Sequence, residues 1–239
     1  MSLLRSFEKT GHILFKYRGQ IPVVLFFCAI PAIYYTDYSI FSARFITMVK
    51  VIAIFICALG FAIRIYTVGT ASDFTSGRNR DKQVAETLNT TGSYSVVRHP
   101  LYLGNYLMWA GIMIYTLNPT LYIIVSLLFW IYYERIMFAE ERFLENKFKE
   151  NFLNWAAKTP AFLPSFKKFV SSKFPFNLCK SLEEYSGILA AVISFVVIQT
   201  LQDYFAHDKL VINYTSIAIL SFVLLLVALI KYFVIPRLK

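Results

Sequence analysis

Charge and cysteine are both scarce in this chain of 239 residues: 16% of it is charged and only three residues are cysteine. An average soluble domain is about 25% charged and about 45–50% apolar. Here the apolar share is 57%, and the mean hydropathy is +0.56. Three cysteines cannot staple a chain of this length, so a disulfide scaffold is excluded. Cys28 and Cys57 also lie inside apolar runs, where a thiol behaves as a small hydrophobe. The composition excludes a collagen-like chain, and the shortage of polar sequence excludes disorder. Internal repeats and low-complexity linkers are absent. Acidic residues are also few, 14 against 24 Lys and Arg, for a formal charge of +10. That excess suits nucleic acid in principle, but a basic nucleic-acid domain does not carry repeated apolar runs of membrane length.

Those runs cover residues 21–35, 45–67, 101–133 and 187–201, with a fifth at 211–235. The third is too long for one crossing and is divided by Asn118-Pro119, which breaks a helix. The expected fold is an all-α integral membrane protein of about six transmembrane helices. The basic residues support an even number of spans. Arg5, Lys9, Lys16 and Arg18 precede the first run; Arg78, Arg80, Lys82 and Arg98 lie between the second and third; Arg142, Lys147, Lys149, Lys158, Lys167, Lys168, Lys173 and Lys180 follow the fourth span; Lys231, Arg237 and Lys239 end the chain. The other side holds Arg44 and Lys209, with Lys50 just inside a span. Both termini and both large loops are therefore expected in the cytoplasm.

Residues 1–20 lack the apolar core of a cleaved signal. Leu3, Leu4, Phe7, Ile13, Leu14 and Tyr17 instead describe an interfacial amphipathic helix. The expected organisation is that helix at 1–20, a first helix pair at 21–70, a core with a cytoplasmic tail at 71–180, and a C-terminal hairpin at 181–239. The hairpin carries no cluster of chemical groups and reads as structural.

Chemistry concentrates in two segments that abut membrane spans. The first runs from Gly92 through Arg98-His99-Pro100-Leu101-Tyr102-Leu103-Gly104. Pro100 suits the first turn of a helix, whose free N–H groups and macrodipole attract anions. A positive-inside anchor followed by a helix start is the plainer reading of Arg98-His99-Pro100. The second segment holds Glu134, Arg135, Glu140, Glu141, Arg142 and Glu145. Carboxylates at a membrane-proximal helix end are costly unless paired, solvated or functional, and a solvated helix surface is the alternative there. The two segments belong to adjacent antiparallel spans, so they meet on one side. An anion-binding helix start facing a carboxylate pair suits a zwitterionic ligand with an amino-acid end.

Arg98-His99-Pro100-x-Tyr102-x-Gly104, with Gly111 and then Arg135…Glu140-Glu141, resembles the isoprenylcysteine carboxyl methyltransferase and phospholipid methyltransferase superfamily. The tail Phe148…Phe152…Trp155…Thr159-Pro160…Leu163-Pro164 is similar as well, and the resemblance covers roughly residues 75–165. It departs at Phe148-Lys149, where the family usually has Phe-Gly, and at Trp155, usually Tyr. The resemblance implies an S-adenosyl-L-methionine-dependent methyltransferase embedded in the bilayer, with a cofactor pocket on the cytoplasmic side. It implies that His99, Tyr102 and Gly104 line that pocket, with Glu140 and Glu141 near the cofactor's amino-acid or ribose part. From the residues themselves, Arg98 and the helix start at Pro100 hold the cofactor's carboxylate. Gly104 and Gly111, seven apart on one face, admit either a ligand or a neighbouring helix. The glycine-rich turn after a strand that soluble methyltransferases use has no counterpart.

Methyl transfer from a sulfonium requires alignment of a nucleophile and exclusion of water. An anionic acceptor needs no general base, whereas an ammonium must first lose a proton. Arg135 is the first candidate to position an anionic acceptor and Arg98 the second; pairing with Glu134 or Glu141 is the structural alternative for Arg135. The approach Asn89-Thr90-Thr91-Gly92-Ser93-Tyr94 and the C-terminal hairpin resemble bacterial members, which implies a bacterial inner membrane. A lipid phosphate, for example on a lipid A-type glycolipid, ranks first as acceptor, a phospholipid amine second and a prenylcysteine carboxylate third. Two readings of other classes stay open. Membrane sterol reductases, which bind a reduced nicotinamide, share part of the motif but usually have Asn where this chain has Leu101. The other is a non-catalytic scaffold. No metal site is expected, because His12, His99 and His207 are isolated and no spacing fits a zinc frame.

Overall fold

The computed structural model describes residues 2–19, 21–72, 83–210 and 213–238. Arg78, Arg80 and Lys82 of the charge argument lie outside the described residues, as do position 211, Lys239 and the side chains of Cys28 and Lys168. The described residues form helices joined by turns and loops. In chain order these are α1 (Leu3–Lys16), α2 (Ile21–Tyr34), α3 (Ala43–Thr70), α4 (Pro100–Tyr115), α5 (Pro119–Phe148), α6 (Glu150–Ala156), α7 (Leu178–Leu182), α8 (Tyr185–His207), α9 (Tyr214–Leu229) and α10 (Ile235–Leu238).

Among the described residues, four stretches are long and apolar enough to cross a membrane: Ala43–Thr70, Pro119–Phe148, Leu178–His207 and Tyr214–Leu238. The protein is an all-α integral membrane protein. The expected count of six is not reached by length, because α2 has 14 residues and α4 has 16. At about 1.5 Å per residue they run about 21 and 24 Å, short of the roughly 30 Å hydrocarbon core.

The long apolar run divides where its residues dictate. Leu117 takes φ +58°, Asn118 caps α5 by accepting from the Leu121 N–H at 2.8 Å, and Pro119 occupies the first turn. The Asn118 amide also donates to Thr36 Oγ1 at 2.9 Å, which pins the turn to the end of α2.

α3 and α4 pack along their length through glycines. A Cβ on Gly60 would lie 2.6 Å from the Gly104 carbonyl, and one on Gly111 would lie 2.5 Å from the Ala53 carbonyl. The backbones therefore touch, as small residues allow in membranes. One buried cluster joins Ile33 of α2, Phe61 of α3, Met113 of α4, Val125 of α5 and Ile198 of α8. A second, of Phe15, Tyr102, Phe129, Tyr133, Ile136 and Phe162, lies under the polar site.

α1 packs against α5. Gly11 rests against the Arg135 carbonyl and Ala139 of α5, and Tyr132 donates to the Leu14 carbonyl at 2.9 Å. Leu3, Leu4 and Ile13 stay exposed, while Phe15 is buried. The C-terminal hairpin differs from expectation in carrying polar groups that tie it to the rest. Lys50 of α3 and Tyr115 of α4 both donate to Gln199 Oε1, at 2.7 and 3.0 Å. The Gln202 amide reaches the Tyr115 and Thr116 carbonyls at 3.4 Å, so it satisfies orphan groups at the end of α4.

Candidate functional site

The segment that leads into α4 is held by the chain that follows α6. Gly92 opens it at φ +62°, a conformation glycine adopts without penalty. Gly92 N–H donates to Val170 O at 2.8 Å, Ser165 N–H to Val96 O at 2.9 Å, and Arg98 N–H to Pro160 O at 2.8 Å. The pairing is antiparallel, and it fixes Arg98 and His99 at the entrance to the helix. Trp155 adds a side-chain clamp, its indole N–H donating to the Tyr94 carbonyl at 3.0 Å. Pro100 begins α4 and is buried.

Across from this start stands the C-terminal part of α5 with Glu140 and Glu141. Arg98 Nη1 donates to Glu141 Oε2 at 3.1 Å, and His99 Nε2 lies 2.8 Å from Glu141 Oε1. Glu140 receives the Tyr102 hydroxyl at 2.8 Å and faces His99 Nδ1 at 3.6 Å. Burial pulls the His99 imidazole down, but hydrogen bonds and charge from Glu140 and Glu141 outweigh it, so its pKa lies above the ordinary value. The two segments picked from sequence therefore form one cluster of alternating charge.

The cluster borders a cavity of about 880 Å³. Arg98, His99, Pro100, Tyr102, Glu140 and Glu141 all line it. Two expected residues do not. Gly104 faces α3, where a Cβ would meet the Arg64 side chain at 2.6 Å; its missing side chain makes room for that arginine. Arg135 lies over the Phe7 ring at 4.4 Å, on the α1 side of α5. Five residues turn a helix through about 140°, which carries Arg135 away from the face of Glu140. Arg98, not Arg135, takes Glu141.

Sequence reasoning missed a second polar group in the same cavity. Arg64 of α3 donates through Nε and Nη2 to Glu184 Oε2 at 2.9 and 2.6 Å and through Nη1 to Asn105 Oδ1 at 2.7 Å. The Asn105 amide donates onward to the Tyr133 hydroxyl at 3.1 Å. The signal was available for Arg64, which with Lys50 is one of two charges within the 45–67 apolar run and the one far from its start, since intramembrane charges are costly and rare. Glu184 carried none, because an acidic residue before a helix is ordinary.

The cavity volume falls within the about 300–1,000 Å³ typical of small-molecule sites. Arg98 Nε is buried and has no partner among the described residues, which leaves a charged donor for a ligand anion. Cation donors at a helix start and carboxylates opposite form a donor set that fits an amino-acid headgroup.

Residues 48–151 match the model of the phospholipid methyltransferase family. The chain is 37% identical over 98 residues to a nickel-cobalt-cadmium resistance protein of Alcaligenes xylosoxydans xylosoxydans, covering 41% of this chain and 43% of the relative. It is 37% identical over 91 residues to a cobalt-zinc-cadmium resistance protein of Cupriavidus metallidurans, 38% of this chain and 39% of the relative. It is 32% identical over 123 residues to the protein-S-isoprenylcysteine O-methyltransferase of Xenopus laevis, 51% of this chain and 43% of the relative. The chain thus spans about two fifths of the length of the curated relatives it matches. No solved structure matches at comparable significance. Methyltransferases of this group use S-adenosylmethionine as methyl donor. Residues 48–151 are thus similar to the phospholipid methyltransferase family and to an isoprenylcysteine O-methyltransferase, the likeness that the motif suggests.

Proposed function

We propose that this protein is an S-adenosyl-L-methionine-dependent membrane methyltransferase that methylates an oxyanion carried by a lipid or lipid-linked acceptor. The observation that carries the reading is the Arg98-His99 pair at the start of α4 facing Glu140 and Glu141 across one cavity of about 880 Å³. The bound cofactor supplies an electrophilic methyl group on a sulfonium. Arg98 at the start of α4 holds its carboxylate. Glu140 and Glu141 hold its ammonium or ribose hydroxyls. Tyr102, anchored on Glu140, keeps that carboxylate in place. Phe15 and Phe152 line the same cavity and exclude water from it.

An oxygen acceptor is supported by the likeness to the Xenopus relative, an O-methyltransferase, and by the chemistry. An oxyanion needs no proton removed, whereas an ammonium does. The phosphate of a lipid A-type glycolipid is the favoured source; the carboxylate of a prenylated cysteine is the second, and the relatives support it. The short helices α2 and α4 complete six crossings, with both termini and the site on the cytoplasmic face of a bacterial inner membrane. The lysines and arginines around α1, α6 and α7 support that side.

The test is transfer of labelled methyl by protein in nanodiscs, offered a lipid A-type phosphate, S-farnesyl-N-acetylcysteine or phosphatidylethanolamine. Label on either oxygen acceptor supports the reading. Label on the amine alone overturns the oxyanion assignment, and label on none of them overturns methyl transfer to these lipid classes.

A further inference from the structure

We propose that the Tyr133 hydroxyl is a hydrogen-bond donor to the acceptor's oxyanion, held in that role by Arg64 and Asn105 as positioning residues. The proposal deepens the methyltransferase reading and rests on it.

Two hydrogen bonds in series set the direction of donation from Arg64 to Tyr133. Arg64 is a cation with donors and no acceptor. Its Nη1 lies 2.7 Å from the side-chain oxygen of Asn105, so the amide of Asn105 is oriented with its oxygen towards Arg64. The amide nitrogen then points at Tyr133 and donates to the hydroxyl oxygen at 3.1 Å. Tyr133 accepts that bond, and its own proton must go elsewhere. It finds no acceptor among the described residues, although Tyr133 is a buried residue. The side chain lines the cavity, and so do Asn105 and Arg64.

Position on α5 assigns the ligand. Tyr133 precedes Glu140 by seven residues, which returns to nearly the same helix face about 10 Å along the axis. The Glu140 end is taken by the cofactor headgroup; the Tyr133 end lies towards the membrane-spanning part of α5, where a lipid-linked group enters. A buried hydroxyl whose oxygen already accepts from Asn105 and whose proton is unspent matches an oxyanion, whether carboxylate or phosphate, better than an ammonium, which is itself a donor. Glu184 completes the arrangement by fixing Arg64 through two of its nitrogens.

The reversal of one bond tests this. In Asn105→Asp both oxygens are acceptors, so the Tyr133 proton is captured by residue 105 and withdrawn from the ligand, while Arg64 gains a full ion pair and the fold is kept. Tyr133→Phe removes the hydroxyl but retains the ring stack on Phe129 at 4.1 Å. Steady-state kinetics with S-farnesyl-N-acetylcysteine and with a lipid A-type phosphate would be read beside calorimetric binding of S-adenosylhomocysteine. Each variant is expected to lose about 10- to 100-fold in kcat/KM on whichever oxyanion the wild type methylates, with cofactor affinity unchanged. The double variant is expected to be no worse than either single one, because both remove the same proton. Single variants within twofold of wild type, additive losses, or loss of cofactor binding in step with activity would each overturn the proposal. A wild type that binds the cofactor but methylates only an amine-headed lipid overturns it while leaving methyl transfer standing; a wild type that binds no cofactor overturns both.

Discussion

His99 is buried between two carboxylates, and that placement sets a pH dependence. Its folded-state pKa lies above that of the free imidazole, about 6.5. The folded protein therefore holds the proton more tightly than the unfolded chain. The stabilisation is complete below about pH 6.5 and is lost as pH rises through the elevated value. Melting temperatures of wild type and His99→Gln in detergent should differ most at about pH 6 and converge towards about pH 9; a constant gap would contradict the ion cluster. A second residue explains a departure from the family pattern. Lys149 takes φ +48° and ψ −122°, backbone territory suited to glycine, at the position where the family usually has Gly. Lys149→Gly should stabilise the protein by about 1 kcal/mol after the chain-entropy cost, read as a rise in melting temperature. At this scale the sequence was legible where residues adjoin in one motif, as in Arg98-His99-Pro100 and Glu140-Glu141. Arg64, Asn105, Tyr133 and Glu184 come from four separate elements. Only packing of α3, α4, α5 and the start of α8 brings them together.

The helices were legible as apolar runs, and the division at Asn118-Pro119 followed from capping and proline chemistry alone. Length was less so. Hydropathy marks α2 and α4 as apolar, but Pro100 starts α4 at the site and the turn at Leu117 ends it, which leaves 16 residues. The role of Gly104 and Gly111 also required the structure, because a ligand-facing and a helix-facing glycine look alike in sequence. Both face α3. Gly60, opposite them, would drive a Cβ into the Gly104 carbonyl and the Met108 backbone nitrogen at 2.6 and 2.9 Å. Backbone on a packed helix yields little, so Gly60→Ala should cost about 1–3 kcal/mol. The expected outcome is a lower melting temperature in detergent; an unchanged one would mean that α3 and α4 are not in backbone contact.

For the whole molecule, the C-terminal hairpin is part of the site's support, in contrast to the plain structural appendage suggested by its apolar sequence. Glu184 and Arg64 form a pair with only 11% and 19% of their side chains exposed, so neither is well solvated. Glu184→Gln leaves the guanidinium without its counter-charge and should cost about 3–5 kcal/mol. Thermal unfolding would show it, and a loss below about 1 kcal/mol would return the hairpin to the status of an appendage. Lys50, Gln199 and Gln202 tie the other end of the same helix to α3 and α4, so the hairpin is fastened at both ends. The central claim is that the cavity between the start of α4 and Glu140-Glu141 holds S-adenosylmethionine. It is tested most directly by calorimetric titration of the detergent-purified protein with S-adenosylhomocysteine, with His99→Ala and Glu141→Gln as controls. The account predicts saturable binding by the wild type, with affinity reduced at least about tenfold in both variants while they remain folded. Folded wild type that takes up no S-adenosylhomocysteine, or variants that bind it as tightly, would contradict it.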